Sequence, residues 1–292
     1  MATADSRAKA PLSPFALAEA LDNCAKWWWG ASLASKIVGF GMGMCLTLLP
    51  AELVPFLVFA FTLLAELCMY RSDAVKGTAQ QFRRKLDLQD GFGWPMPATE
   101  RSDFLVRCSP SVKRRARTRP VGEAYFASTE PPGPRRALKN VSESAWWTKH
   151  LAGTMTIICW TTVIVGVIVS FGFLIMAIQA TGTHTTQVSV ARIVTSILML
   201  LLSMGIIKLA ISYSSLGKNS ARSEAAAERA LETTPDELGA FKVVSDYHLS
   251  RAVGPIIPTW IWRLRQKNLD QTWKELRNGS VATLGEGVND DE

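Results

Sequence analysis

Histidine, paired cysteine and every common catalytic signature are scarce or missing in this sequence. The three histidines, His150, His184 and His248, lie far apart, and none has a cysteine or carboxylate at ligand spacing. No zinc site and no bound cofactor are expected from such a pattern. The five cysteines, Cys24, Cys45, Cys68, Cys108 and Cys159, form no CxxC, are odd in number and are irregularly spaced. That argues against a disulfide framework. Three of them sit in or at the end of apolar runs, where a thiol behaves as a small hydrophobe. A phosphate-binding glycine loop, an HExxH and a GxSxG elbow are all missing. Paired carboxylates in an apolar run are missing too, because Glu66 stands alone there. The expectation is a protein that is not an enzyme. No transporter-type repeat is evident. The start of the chain lacks a basic stretch, an apolar core and a small-residue cleavage site, so it does not read as a signal peptide.

What the sequence does have is long charge-free runs beside arginine-dense ones. A water-soluble domain spreads its apolar residues at helical or strand spacing instead. The clearest run, about 151–179, follows VSESAWWTKH. About twenty apolar residues cross the hydrocarbon core as a helix. Tryptophan is enriched at headgroup level, so Trp146 and Trp147 read as interfacial anchors and Lys149 as a headgroup contact. A tryptophan pair inside a soluble core is the alternative. A further span is expected at about 193–213. Earlier in the chain, Leu49-Pro50-Ala51-Glu52 reads as a turn between two short spans, about 32–49 and 53–70. A re-entrant hairpin is the rival there.

The predicted fold class is thus an all-α membrane protein: four transmembrane helices as two hairpins, 32–70 and 151–213. Residues 1–31 form an N-terminal interfacial helix that Ser13-Pro14 opens. A basic cytosolic segment covers 71–150, a cytosolic helical region 214–276, and a disordered acidic tail 277–292. Residues 71–149 hold 16 Lys/Arg against 8 Asp/Glu, whereas residues from 208 onward hold 11 against 12. Basic loops stay in the cytoplasm. The middle segment and, with an even number of spans, both termini are placed there.

Within the runs, Gly39 and Gly43 lie four apart, the spacing that lets helices approach closely, within or between subunits. Glu66 and Lys208 are the ionisable residues inside the second and fourth runs. They snorkel to the interface, pair with each other, or line a pore. On the cytosolic side, RSDAVKGTAQQFRRKLDLQD continues the second span as a helix until Asp90-Gly91 and Gly93. Arg83, Arg84, Lys113, Arg114, Arg115 and Arg117 are candidate contacts for anionic lipid or a phosphate ligand. No module or aromatic interleaving supports specific nucleic-acid binding. Pro131, Pro132 and Pro134 with Gly133 make a rigid turn, and residues 135–148 then form a helix entering the membrane. Thr234 reads as an N-cap with Pro235 and Glu237 behind it. Trp262, Leu269, Trp273 and Leu276 form a stripe suited to an intramolecular or subunit contact.

The order of hairpin, basic middle, hairpin and helical tail carries a resemblance. So do the stretches YFASTEPPGPRRALKNVSESAWWTKHLA and RAVGPIIPTWIWRLRQKNLDQTW. Together, over about residues 32–273, they resemble the SMODS-associated four-transmembrane effectors of bacterial anti-phage systems. The resemblance implies an inner-membrane protein that forms pores or disrupts the membrane as a homo-oligomer. A cyclic-oligonucleotide signal or a signalling partner would be the trigger. It supplies no catalytic residues and no ligand motif. A small transporter or a membrane scaffold subunit is the reading from another class.

Overall fold

The computed structural model describes residues 12–44, 53–118, 126–179, 194 and 204–285, with side chains left undescribed at 43–44, 173, 177–179 and 277–285. Eight helices and no strand occur among the described residues. They are α1 (Pro14–Met44), α2 (Val54–Phe92), α3 (Ala98–Arg107), α4 (Pro110–Arg117), α5 (Pro134–Gln179), α6 (Ile206–Glu232), α7 (Glu237–Val253) and α8 (Thr259–Gly285). The helix boundaries follow the punctuating residues. Pro55 occupies the first turn of α2, where no backbone donor is needed. Gly93 ends α2 at φ 76°, a left-handed cap that L side chains adopt at a cost. Ser109 caps α4, its hydroxyl accepting from the Val112 amide, and Pro110 follows. The cap of α7 is Asp236, whose carboxylate accepts from the Gly239 amide at 2.9 Å. That corrects Thr234: the carboxylate two residues on is the group that reaches the first free amides.

Four helices run through the boundaries drawn from the sequence. The division at residue 31 falls inside α1, that at 70 inside α2, that at 150 inside α5 and that at 213 inside α6. The predicted tail at 277–292 is helical to Gly285, as the end of α8; residues 286–292 lie outside the described set. Among the described residues two helices are long and apolar enough to cross a membrane, not four: Val54–Phe92 and Pro134–Met176. The predicted span 32–49 is the second half of α1, and its residues 45–49 lie outside the described set, as does the predicted turn at 49–52. Of the predicted span 193–213, only residue 194 and residues 204–213 are described.

The two long helices expose large apolar side chains at one end only. On α2 these include Phe56, Phe59, Leu63, Leu67 and Tyr70; on α5 they run from Ile157 and Trp160 to Ile175 and Met176. The helices are antiparallel neighbours that meet at their far ends, where a Cβ on Gly91 would lie 2.9 Å from the Ala137 backbone. Counting 21 residues outward from that contact sets Tyr70 opposite residue 158, and counting 37 sets Val54 opposite residue 174. The two apolar bands therefore begin at similar counts of residues from that contact. Their lengths, about 25 and 30 Å at 1.5 Å per residue, match a hydrocarbon core of about 30 Å.

Away from the bands the same helices are covered. Leu17 and Leu21 of α1, Phe82 and Leu86 of α2, Phe104 of α3 and Val112 of α4 form one core. The N-terminal helix thus has its apolar face against α2, α3 and α4 rather than open. A second core joins the end of α2, the start of α5, the end of α6 and α7, around Leu138, Val141, Ala227, Val244 and Tyr247. A third joins α5, α6 and α8 around Trp146, Met155, Tyr213, Ile261 and Leu269.

Candidate functional site

The polar half holds a buried polar centre that the sequence reading missed. Asp87 of α2, Asn140 of α5 and His248 of α7 are all buried and come from three elements. His248 Nε2 lies 3.6 Å from Asp87 Oδ2. Together with Ser144 and Tyr247 they line a cavity of about 10 Å³, room for one water molecule. Asp87 Oδ1, Asn140 Oδ1 and His248 Nε2 have no hydrogen-bond partner in the protein. The other Asn140 group donates to Asp90 Oδ2 at 2.7 Å, and Arg136 forks onto the same carboxylate at 2.8 and 3.2 Å. Tyr247 and Thr148 share a hydroxyl–hydroxyl bond of 3.1 Å. Histidine and carboxylate are 161 positions apart in the chain, so no local spacing could announce the pair. A polar Asp87 between Leu86 and Leu88 was the one available signal.

Burial pushes the Asp87 carboxyl up to about 6, against the pull of Arg83 and Arg251, with Asp90 adding to the rise. Burial, reinforced by Arg251, Arg83 and Arg84, pushes His248 down to about 3. At neutral pH the pair is a carboxylate beside a neutral imidazole. Arg83 is half-buried, and its pKa is pushed down to about 10 by burial and by Arg251, with Asp87 and Asp22 opposing. Arg83 thus stands among Arg251, Asp87 and Asp22, and Asp22 also pairs with Lys26 at 2.7 Å. Its place is different from that of the other predicted basic contacts.

Those others remain at the surface. Arg84 lines an open groove of about 310 Å³ between α2 and α3, with Lys85, Glu100, Asp103 and Arg107 around it. Lys85 pairs with Glu100 at 3.1 Å. Arg114, Arg115 and Arg117 are exposed on α4 and Lys113 is half-exposed, because Val112 and Ala116 turn the opposite face into the core. The six residues therefore occupy three places: the interior, the groove and the α4 face.

The predicted intramembrane residues also separate. Glu66 pairs with Lys36 of α1 at 3.2 Å. Lys208 is exposed on α6 and is not its partner. The sequence reading named no partner on the first run, although Lys36 lies inside the predicted span 32–49. A Cβ on Gly39 would lie 3.2 Å from Phe61 Cβ, so this glycine serves the packing of α1 on α2 within one chain. It belongs to a line of small residues, Ala25, Ser32 and Ser35 facing Ala65, Cys68 and Ser72; Ser72 donates to the Ala25 carbonyl at 2.9 Å. The surroundings of Gly43 lie outside the described residues.

Trp146 is only 4% exposed. Its ring lies 5.0 Å from Trp273, and Trp147 lies 4.8 Å from Trp262. The predicted stripe on α8 is what covers this pair. Both tryptophans stand about 15 Å of helix below the first exposed band residue, Ile157. They are therefore joints between helices, not open anchors. Lys149 pairs with Glu224 of α6 at 2.6 Å instead of facing outward. The aromatics level with the band edge are Trp27 and Tyr70, both exposed; the Ser72–Ala25 bond puts them at a similar height. Trp160 on α5 lies near the same height.

Among the described residues, no group of three or more His, Cys, Asp or Glu could hold a metal ion. The arrangement offers exposed arginines on α4 and a buried carboxylate–imidazole pair in the interior. No protein-family model matches the chain, and no curated protein or solved structure matches it either.

Proposed function

We propose that this chain is a four-span protein of the bacterial inner membrane, not an enzyme, with its polar half and both termini in the cytoplasm. In this reading it forms a homo-oligomeric pore or lesion when a signal engages the polar half. One observation carries the membrane placement: two helices each carry a long band of exposed apolar side chains that begins at a similar count of residues from the point where they meet, beyond a charged, covered half. A soluble protein rarely exposes contiguous apolar surface of that extent. Basic residues on the covered half favour the cytoplasmic side. The two remaining spans are those expected from the sequence at about 32–49 and 193–213, parts of which lie outside the described residues.

The effector role rests on the layout shared with SMODS-associated four-transmembrane effectors. The through-going helices give it a physical route. α2 and α5 each pass unbroken from the apolar band into the polar half. A tilt imposed at the polar end therefore moves the span as a lever. The exposed arginines of α4 suit a phosphate-bearing trigger such as a cyclic oligonucleotide, since guanidinium groups fork onto phosphate oxygens. Alanine at Arg114, Arg115 and Arg117 together should abolish signalling while leaving membrane insertion intact.

The test is membrane potential in bacteria after controlled expression, with and without the signal-producing enzyme. Depolarisation only with the signal supports a gated effector. Depolarisation without it indicates intrinsic leakiness. No depolarisation in either case moves the function to a transporter or scaffold.

A further inference from the structure

Three buried polar atoms around one small void have no partner in the protein. They are Asp87 Oδ1 on α2, Asn140 Oδ1 on α5 and His248 Nε2 on α7. Their residues are 8%, 3% and 6% exposed. All three residues line the cavity of about 10 Å³, with Ser144 and Tyr247 as further polar walls. The histidine does not meet the carboxylate directly, because Nε2 stands 3.6 Å from Asp87 Oδ2, beyond hydrogen-bond range. Polar atoms left unmet in an interior carry the full cost of their lost hydration.

The kind of each atom identifies what fits between them. Asp87 Oδ1 is a carboxylate oxygen and accepts. Asn140 Oδ1 also accepts: the amide nitrogen is the group that donates to Asp90 Oδ2 at 2.7 Å, a carboxylate that Arg136 forks onto as well. His248 Nε2 donates when the ring proton sits there. A water molecule donates twice and accepts, so it meets two acceptors and one donor. With the ring proton on Nδ1 instead, three acceptors would share two water hydrogens, and one would stay unmet. The count therefore assigns the tautomer along with the water.

A cation suits the same void poorly. Arg83 and Arg251 act on Asp87, and Arg251, Arg83 and Arg84 act on His248. Those guanidinium groups would oppose a further positive charge held by one carboxylate. The volume is also that of a single water.

The position gives this water a task. Asp87 is four residues before Gly91 on α2, and Asn140 is three after Ala137 on α5. A Cβ on Gly91 would lie 2.9 Å from the Ala137 backbone. Both polar residues thus stand one turn from a close approach of the two long helices, and His248 brings α7 to the same point.

We propose that the cavity binds one resident water, which joins α2, α5 and α7 by donating to Asp87 Oδ1 and Asn140 Oδ1 and accepting from His248 Nε2–H. Through it α7 is tied to the meeting of α2 and α5 by hydrogen bonds as well as by apolar packing. The site does not depend on where a membrane lies.

Magic-angle-spinning NMR of the full chain in lipid vesicles at neutral pH, with nitrogen-15 histidine, tests this. The His248 signals are those that a His248→Gln chain lacks. The native chain should carry the His248 ring proton on Nε2, with a cross-peak from that proton to water although the nitrogen is buried. Ser144→Val puts a bulkier side chain into the void and should abolish the water cross-peak, while Ser144→Ala should keep it. A ring proton on Nδ1 alone, no water cross-peak in the native chain, or a cross-peak unchanged in Ser144→Val would overturn the proposal. So would a His248 nitrogen shift that follows replacement of buffer sodium by caesium, which would put a cation in the void. The tautomer and the water contact of the native chain decide the matter by themselves if Ser144→Val does not fold.

Discussion

Phe59 and Phe82 are the same residue on the same helix, yet Phe59 is 68% exposed and Phe82 only 1%. Nothing in the local sequence of α2 distinguishes them as helix formers. The difference lies in what surrounds each. Phe82 sits in a core with α1, α3 and α4, while Phe59 belongs to a band that only an apolar medium would favour. The same break divides α5, where Met155 is buried and Ile157 is open. A single helix can thus be half core and half exposed apolar band, and side-chain exposure, not helix length, marks the border.

Breaking the covered half should have the largest effect. Phe82→Ala should cost about 3–5 kcal/mol, as for other buried aromatic truncations. Phe59→Ala should stay within about 0.5 kcal/mol. Thermal unfolding in detergent compares them; equal losses would erase the contrast. Next comes charge. Ile168→Arg on the α5 band should cost about 2.5–3.5 kcal/mol of insertion, read as loss from the membrane fraction. Val106→Arg, exposed on α3, should insert normally.

A smaller effect attends the pair between α1 and α2. Lys36→Glu should destabilise the hairpin by about 1 kcal/mol, and adding Glu66→Lys should restore it. Lys208→Glu should leave Glu66 unaffected. Rescue of Glu66→Lys by Lys208→Glu would reverse that assignment.

The least effect is in the pH profile, where two opposed shifts meet. Asp87 has a raised pKa, so its stabilisation is present at low pH and lost as pH rises through about 6. His248 has a lowered pKa, so its share is present above its ordinary 6.5 and lost as pH falls toward about 3. The two oppose each other between about pH 4 and 6. His248→Gln removes the second, so the melting temperature of that variant should rise relative to the native chain as pH falls from 6.5 to 4. A parallel profile would mean that the buried pair does not titrate this way.

Much of the helical layout was legible. The charge-free run at 151–179, the continuation of α2 to Asp90, and the turn at Pro131–Pro134 all follow from composition and from residues with fixed backbone preferences. What was hidden depended on contacts distant in sequence. Trp146 and Trp147 have the composition of an interfacial anchor, and only the arrival of Trp262 and Trp273 from α8 turns them into a joint. Asp87 and His248 meet across α2 and α7, where no periodicity links them. Arg83 and Arg84 are adjacent in the chain, but consecutive helix positions point about 100° apart. One therefore faces Asp22 and Asp87 while the other faces the groove.

The most direct test of the central claim is labelling of the native chain in lipid vesicles by a carbene precursor dissolved in the bilayer. The account predicts labels on α5 from Ile157 to Met176 and on α2 from Val54 to Tyr70, stopping at the same height on both. Trp146 to Met155 and Phe82 should remain unlabelled. Equal labelling of Trp146–Met155, or no labelling of either band, would contradict it.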